Sequence, residues 1–278
     1  MIPLHDDNPT TLKPVITISL IVACSLVFLW QQSLFPAEAE RAIFAFGFVP
    51  AAFFGGRVVV PEAGAVPAEL AVITSMFLHG GWMHLIGNML YLWIFGNNVE
   101  DAMGHVRFPI FYVLCGVAAA LAQGFHDPNS AVPMIGASGA IGGVLGGYLL
   151  LYPRARVLVL IPLGFFTQLI RIPALAVLGF WFVLQFIQSA LSSGEGGGVA
   201  YWAHIGGFVA GMVLILPFRR KGFPLFAGPR GVRPPSHPRA QAKAQSKDRR
   251  ATVVPDRPSS RLRLPQSGSI WRRKGPWN

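Results

Sequence analysis

Four polar side chains occupy places where a polar side chain is expensive. His84, Asn88, Ser138 and His204 each fall inside, or at the mouth of, a long apolar run. Ionisable and amide groups in such segments mark function by default, because nothing apolar solvates them. A serine hydroxyl is a weak nucleophile until a neighbouring base takes its proton, a role histidine fills most often. Ser138 and His204 are therefore the candidate nucleophile and base. His84 and Asn88 are four residues apart, so a helix presents both on one face. Two donors there could stabilise the oxyanion of a tetrahedral acyl intermediate. The same pair could instead clamp two helices.

Ser138 stands in Gly136-Ala-Ser-Gly139, at the start of an apolar run. Unsatisfied backbone N–H groups and the positive end of the helix dipole favour a developing negative charge there. A simple N-capping serine is the plain alternative. His79 lies five residues before His84 and raises the question of a metal. No His-Glu-x-x-His run accompanies it, and no carboxylate lies nearby. Neither a metal nor an organic cofactor is expected.

The elements that must position these residues follow from composition. The 278 residues are 53% hydrophobic and only 13% charged, against about 25% charged in soluble proteins. Apolar runs, each approaching the length needed to cross a bilayer, recur at Val15–Trp30, Met83–Asn97, Phe108–Phe125, Ser138–Tyr152, Pro173–Leu191 and Ala203–Phe218. The expectation is an all-α polytopic membrane protein with six spans in residues 1–218. The shorter runs need flanking residues or local bilayer thinning.

Charge sets the orientation. One set of loops holds Lys13, Arg107, Arg154, Arg156, Arg171 and the 16 basic residues from Arg219 onward, whereas the other holds only Arg41 and Arg57. The positive-inside rule then puts both termini in the cytoplasm. The first outer connection, Gln31–Leu78, is apolar but broken by Gly47 and Pro50, and is expected to lie in or on the outer leaflet. Val157–Ile172, broken by Pro162 and Gly164, reads as an interfacial segment rather than a seventh span.

With this topology every even-numbered span starts outside. Ser138 precedes Arg154 by 16 residues, His204 precedes Arg219 by 15, and His84 precedes Glu100 by 16. At about 1.5 Å per residue, all three lie roughly 22–24 Å above the inner boundary. Glycines recur four apart, as Gly139, Gly143 and Gly147 in span four and Gly207 and Gly211 in span six. Small residues at that spacing let helix backbones close together in lipid. This draws Ser138 and His204 towards each other.

The formal charge of +11 belongs to the tail. Residues 219–278 carry 16 basic side chains against Asp248 and Asp256, a net +14, and the preceding part carries −3. Rich in Pro, Arg, Ser and Gln, this tail is expected to be disordered and to meet anionic lipid headgroups rather than nucleic acid. Cys24 and Cys115 fall in separate spans and read as packed thiols. With Asp6, Asp7 and a single Lys13, the N-terminus reads as neither a signal nor a transit peptide, which favours a bacterial inner membrane.

The combination of motifs resembles the rhomboid family of intramembrane serine proteases. His79-Gly-Gly-Trp-Met-His84-Leu-Ile-Gly-Asn88 is similar to that family's His-x-x-x-Asn helix with its upstream histidine. Gly136-Ala-Ser138-Gly139 is similar to its nucleophile motif, and Ala203-His204-Ile-Gly206-Gly207-Phe-Val-Ala-Gly211 to its catalytic-histidine helix. The resemblance covers about residues 13–220. It implies Ser138 as nucleophile, His204 as general base and acid, and His84, Asn88 and the Ser138 amide as oxyanion hole. It also implies substrates that are transmembrane proteins with a small residue at the cleavage point.

Two departures matter. Leu70-Ala71 stands where some rhomboids have Trp-Arg, and Gly142 stands where some stack an aromatic on the catalytic histidine. Another residue must hold the imidazole. No Asp or Glu sits where it could orient His204, so a dyad is expected rather than a triad. The rival readings are a rhomboid-like pseudoprotease that binds clients without cutting them, and a transporter, against which this sequence shows no paired broken helices in two repeats.

Overall fold

A computed structural model of the chain describes residues 1–55, 66–163, 166–191 and 199–227. The fold is predominantly helical, and helices stand at all six expected places. They are α1 (Val15–Ser33), a long helix from Trp82 to Met103, α7 (Arg107–His126), α8 (Ser138–Leu151), α9 (Ala174–Leu191) and α10 (Tyr201–Phe218). The long helix comprises α5 (Trp82–Tyr91), a π-helical turn (Leu92–Gly96) and α6 (Asn97–Met103). Before it come α2 (Pro36–Phe46), α3 (Pro50–Phe53) and α4 (Ala68–Thr74), the last running into a 3-10 turn at Ser75–Phe77.

Among the described residues, α1, α7, α9 and α10 are each long and apolar enough to cross a membrane. Residues Ala68–Phe77 and Trp82–Met103 form a fifth such unit, bent by 85° at the break between them. Helix α8 is apolar but only 14 residues long, about 21 Å, against a hydrocarbon core of about 30 Å. Its surroundings explain the tolerance: 11 of its residues are buried, so it lies in protein rather than lipid. Six segments are thus in place, and four to five of them qualify as spans on length and composition alone.

A small sheet joins the helices, which the sequence reading did not anticipate. Strands β1 (Ile2–Asp6), β2 (Arg156–Leu163) and β3 (Phe166–Pro173) are antiparallel in the order β1-β2-β3, with Asp6 opposite Val157 and Arg156 opposite Pro173. The segment expected to be merely interfacial is therefore a hairpin. Val157 and Val159 are fully buried while Leu158 is half-buried, the period of two that a strand requires. Gly164 lies outside the described residues.

One end of the bundle is tied by buried polar groups. Glu100 accepts hydrogen bonds from the N–H groups of Ile16 (2.9 Å) and Thr17 (2.8 Å) and from the Thr17 hydroxyl (2.7 Å). A carboxylate from α6 thus caps the first turn of α1, where Pro14 supplies no side-chain cap. Asp101 accepts from the Thr11 amide and hydroxyl (3.0 and 2.7 Å) and lies 3.5 Å from Arg220. The N-terminal segment and the residues after α10 therefore meet at the same end.

Residues 219–227 belong to this packing. The Arg220 amide donates to the Ala102 carbonyl, and Phe226 and Ala227 donate to Leu150 and Leu151. These contacts lie beyond the boundary expected after residue 218. The rest of the tail, with its expected disorder and lipid contacts, lies outside the described residues.

Candidate active site

Helices α8 and α10 approach at backbone distance because glycine lines their contact. A Cβ on Gly207 would overlap the carbonyl oxygen of Gly139, and one on Gly211 would overlap that of Gly143. A Cβ on Gly139 would come within 2.6 Å of Ala119 in α7, and one on Gly147 would sit 3.3 Å from Phe111. Three helices thus close on one glycine-bearing face. This is the close approach that small residues four apart permit.

That approach brings Ser138 and His204 together. Ser138 Oγ and His204 Nε2 are 2.8 Å apart, a hydrogen-bond distance, although 66 residues separate them in the chain. Ser138 opens α8, and the segment leading to it is held from outside. Met134 and Phe48 exchange both backbone hydrogen bonds, Gly136 N–H donates to the Ser75 carbonyl (2.8 Å), and Ala51 N–H donates to Ser130 (3.0 Å). The connection between α1 and α5 therefore serves as a scaffold for the serine, with Thr74 Oγ1 bonded to the Phe46 carbonyl (2.6 Å) to hold its own turns together.

His84 and Asn88 face the same space from α5. Gly80 N–H donates to His84 Nδ1 (3.3 Å). A neutral imidazole that accepts at Nδ1 carries its proton at Nε2. Nε2 points to Gly136, where an added Cβ would lie 2.6 Å from it and 3.7 Å from Asn88 Nδ2. Asn88 is buried, and its Nδ2 has no hydrogen-bond partner. Such a donor calls for an explanation. An oxygen seated beside Gly136 would supply one, because two N–H donors converge there.

The four residues line one cavity of about 1060 Å³, together with Trp181 and Ile135 among others. The described residues contain no cluster of side chains suited to a metal. The arrangement offers a hydroxyl bonded to an imidazole and two donors nearby that could receive a negative oxygen. That combination suits acyl transfer.

Sequence reasoning missed what holds the imidazole. Gln185 Oε1 lies 2.7 Å from His204 Nδ1, and the Trp181 ring packs against the imidazole with centroids 5.7 Å apart. Both come from α9. Gly142 faces the His204 carbonyl instead, 3.0 Å from where its Cβ would be. The signal was available: Gln185 is an amide within an apolar run, four residues after a tryptophan, and carried the same warrant as Asn88.

The helices and the half-buried hydroxyl–imidazole pair define a multi-pass membrane protein with a polar chamber among its helices. The family model for the Rhomboid domain matches residues 68–221, more than half of the chain, and the chain belongs to the rhomboid family. It is 37% identical over 146 residues to Rhomboid protease GluP of Bacillus subtilis, covering 52% of this chain and 26% of that protein. Rhomboid protein 1, mitochondrial, of Saccharomyces cerevisiae is 29% identical over 157 residues, covering 53% of this chain and 41% of the relative. Rhomboid-like protein 11, chloroplastic, of Arabidopsis thaliana is 28% identical over 159 residues, covering 54% and 52%. The chain thus spans about half or less of the length of these relatives.

Proposed function

We propose that this protein is an intramembrane serine endopeptidase that cleaves peptide bonds in or near the transmembrane segments of other proteins. The observation that carries the reading is the 2.8 Å contact between Ser138 Oγ and His204 Nε2 inside a cavity that also holds His84 and Asn88. Its kinship with a rhomboid named as a protease supports the same reading.

In this reading Ser138 Oγ attacks the carbonyl carbon of the scissile bond while its proton passes to His204 Nε2. The carbonyl π electrons move to oxygen, and the oxyanion accepts hydrogen bonds from His84 Nε2–H, Asn88 Nδ2–H and the Ser138 amide. Collapse of the tetrahedral intermediate expels the amine, which takes the proton from His204. Water then attacks the acyl-serine with His204 again as base, releasing the carboxylic acid and restoring the hydroxyl. The basic end of the bundle faces the cytoplasm of a bacterial inner membrane, so the chamber lies in the outer half.

The test is purified full-length protein in detergent, mixed with labelled transmembrane substrates beside Ser138→Ala and His204→Ala. Each substitution should abolish cleavage, and the double variant should be hardly worse than either single one, because the two groups act as a unit. Undiminished cleavage by Ser138→Ala would end the serine-protease reading. No cleavage by the wild type across a broad panel would favour a client-binding role.

A further inference from the structure

We infer that Gln185 is a positioning residue that fixes the tautomer and ring orientation of His204. The inference rests on the protease reading above and adds to it a third member, contributed by α9. For His204 Nε2 to accept a proton from Ser138, its other nitrogen must carry the hydrogen. Something must therefore accept a hydrogen bond from Nδ1. No carboxylate hydrogen-bonds His204 among the described residues.

The amide of Gln185 fills that place, and its own bonding sets which end it offers. Its Nε2 donates to the Trp181 carbonyl (3.1 Å), one turn earlier in α9. An amide nitrogen can donate but not accept. With that end engaged, Oε1 is the atom facing His204 Nδ1 at 2.7 Å, and an oxygen there selects the Nδ1–H tautomer. The lone pair is thereby left on Nε2, towards Ser138. The chain of bonds has one consistent polarity, from the Trp181 carbonyl to the serine hydroxyl.

Burial makes the arrangement selective. From Gly179 to Leu191, Gln185 is the one side chain of α9 that is buried among the described residues, while Phe180, Val183, Phe186 and Ile187 are exposed on the helix surface. An apolar side chain would be the ordinary occupant of such a place. A buried amide with both ends bonded is specific to a polar partner. Trp181 completes the clamp by packing on the ring that Gln185 orients, and Phe182 of the same helix stacks on Phe208 of α10 (4.4 Å). Alignment of the dyad thus depends on the seating of α9 against α10.

The experiment measures the rate at which a fluorophosphonate probe labels Ser138 in the full-length, detergent-purified protein, together with kcat and KM on a labelled transmembrane substrate. Gln185→Leu keeps the bulk and removes the acceptor. Gln185→Asn keeps an amide but shortens its reach, and Gln185→Glu keeps both reach and acceptor. Leu and Asn should each slow labelling and kcat by about tenfold or more, the scale of one lost orienting hydrogen bond. KM should be unchanged, and Glu should stay within about threefold of wild type, since a carboxylate accepts at least as well.

If Gln185→Leu disturbs folding, the contrast between Asn and Glu still decides the matter. Wild-type rates in both Leu and Asn, or equal losses in all three variants, would overturn the positioning role. Labelling that persists in Ser138→Ala would instead show that the dyad itself is misassigned, and the role of Gln185 would fall with it.

Discussion

The backbone of Gly136 lies against the His84 imidazole so closely that a Cβ there would come within 2.6 Å of Nε2. Gly136 also has φ of +121°, a conformation that side chains rarely adopt. Both facts keep open the space in front of two N–H donors, two residues before the serine. A glycine here therefore preserves a vacancy as well as a turn.

Gly136→Ala should accordingly abolish most activity while adding a single methyl group. The methyl would press on His84 and occupy the approach of the oxyanion. The loss should be on the order of 10²-fold in kcat, similar to removing one oxyanion donor. Cleavage assays beside melting curves in one detergent give the comparison. A variant with wild-type kcat would show that the reactive oxygen does not sit beside Gly136.

Asn88→Ala tests the donor directly. Asn88 Nδ2 is buried without a partner, so its removal breaks no hydrogen bond that stabilises the resting fold. The expected outcome is a fall of about 10- to 100-fold in kcat, with a melting temperature at or above that of the wild type. A helix clamp would behave oppositely, losing stability and activity in step. The missing partner argues against the clamp.

Much of the architecture was legible because it rests on residue spacing. Glycines four apart located the face shared by α8 and α10, and polar atoms in apolar runs located Ser138, His204, His84 and Asn88. Two things were not legible, for physical reasons. The β2–β3 hairpin reads as an apolar run because both of its faces hold hydrophobic side chains, Val157 and Val159 on one and the paired Leu160 and Leu169 on the other. The third strand that completes its sheet, β1, lies more than 150 residues away in the chain. The partner of Gln185 was the second: its amide stood out in an apolar run, but its meeting with His204, 19 residues further along, follows only from the packing of α9 on α10, which brings the two to 2.7 Å.

The glycine contact between α8 and α10 has no slack. Since a Cβ on Gly207 would overlap the Gly139 carbonyl, Gly207→Ala must move one backbone away from the other. The shift carries His204, three residues earlier, away from Ser138. Such overpacking costs about 1–3 kcal/mol or more, and activity should fall further than stability. Gly179→Ala is the control, because nothing lies within 4 Å of its added Cβ, and its activity should equal that of the wild type. Normal cleavage by Gly207→Ala would show that the helices have more room than this contact allows.

At the opposite end, Asp6 provides a pH-dependent test of the N-terminal strand's attachment. It is 3% exposed, and its Oδ2 accepts from the Tyr148 hydroxyl at 2.6 Å and from Asn98 Nδ2 at 2.9 Å. Burial holds its carboxyl above the usual aspartate range, and the Tyr148 hydrogen bond lowers it without cancelling the effect. An acid raised on folding binds more protons folded than unfolded between its two pKa values. Stability therefore falls as pH rises through that interval, which begins near the unfolded value of about 3.9, and levels off above it. Asp6→Asn keeps an oxygen acceptor but cannot ionise. Its melting temperature should therefore improve relative to wild type as pH rises from about 4 towards neutrality. Thermal melts of both proteins at matched detergent and salt read this directly. A wild type that gains on the variant over the same range would mean that Asp6 is stabilised as a charge, by partners stronger than the two seen here.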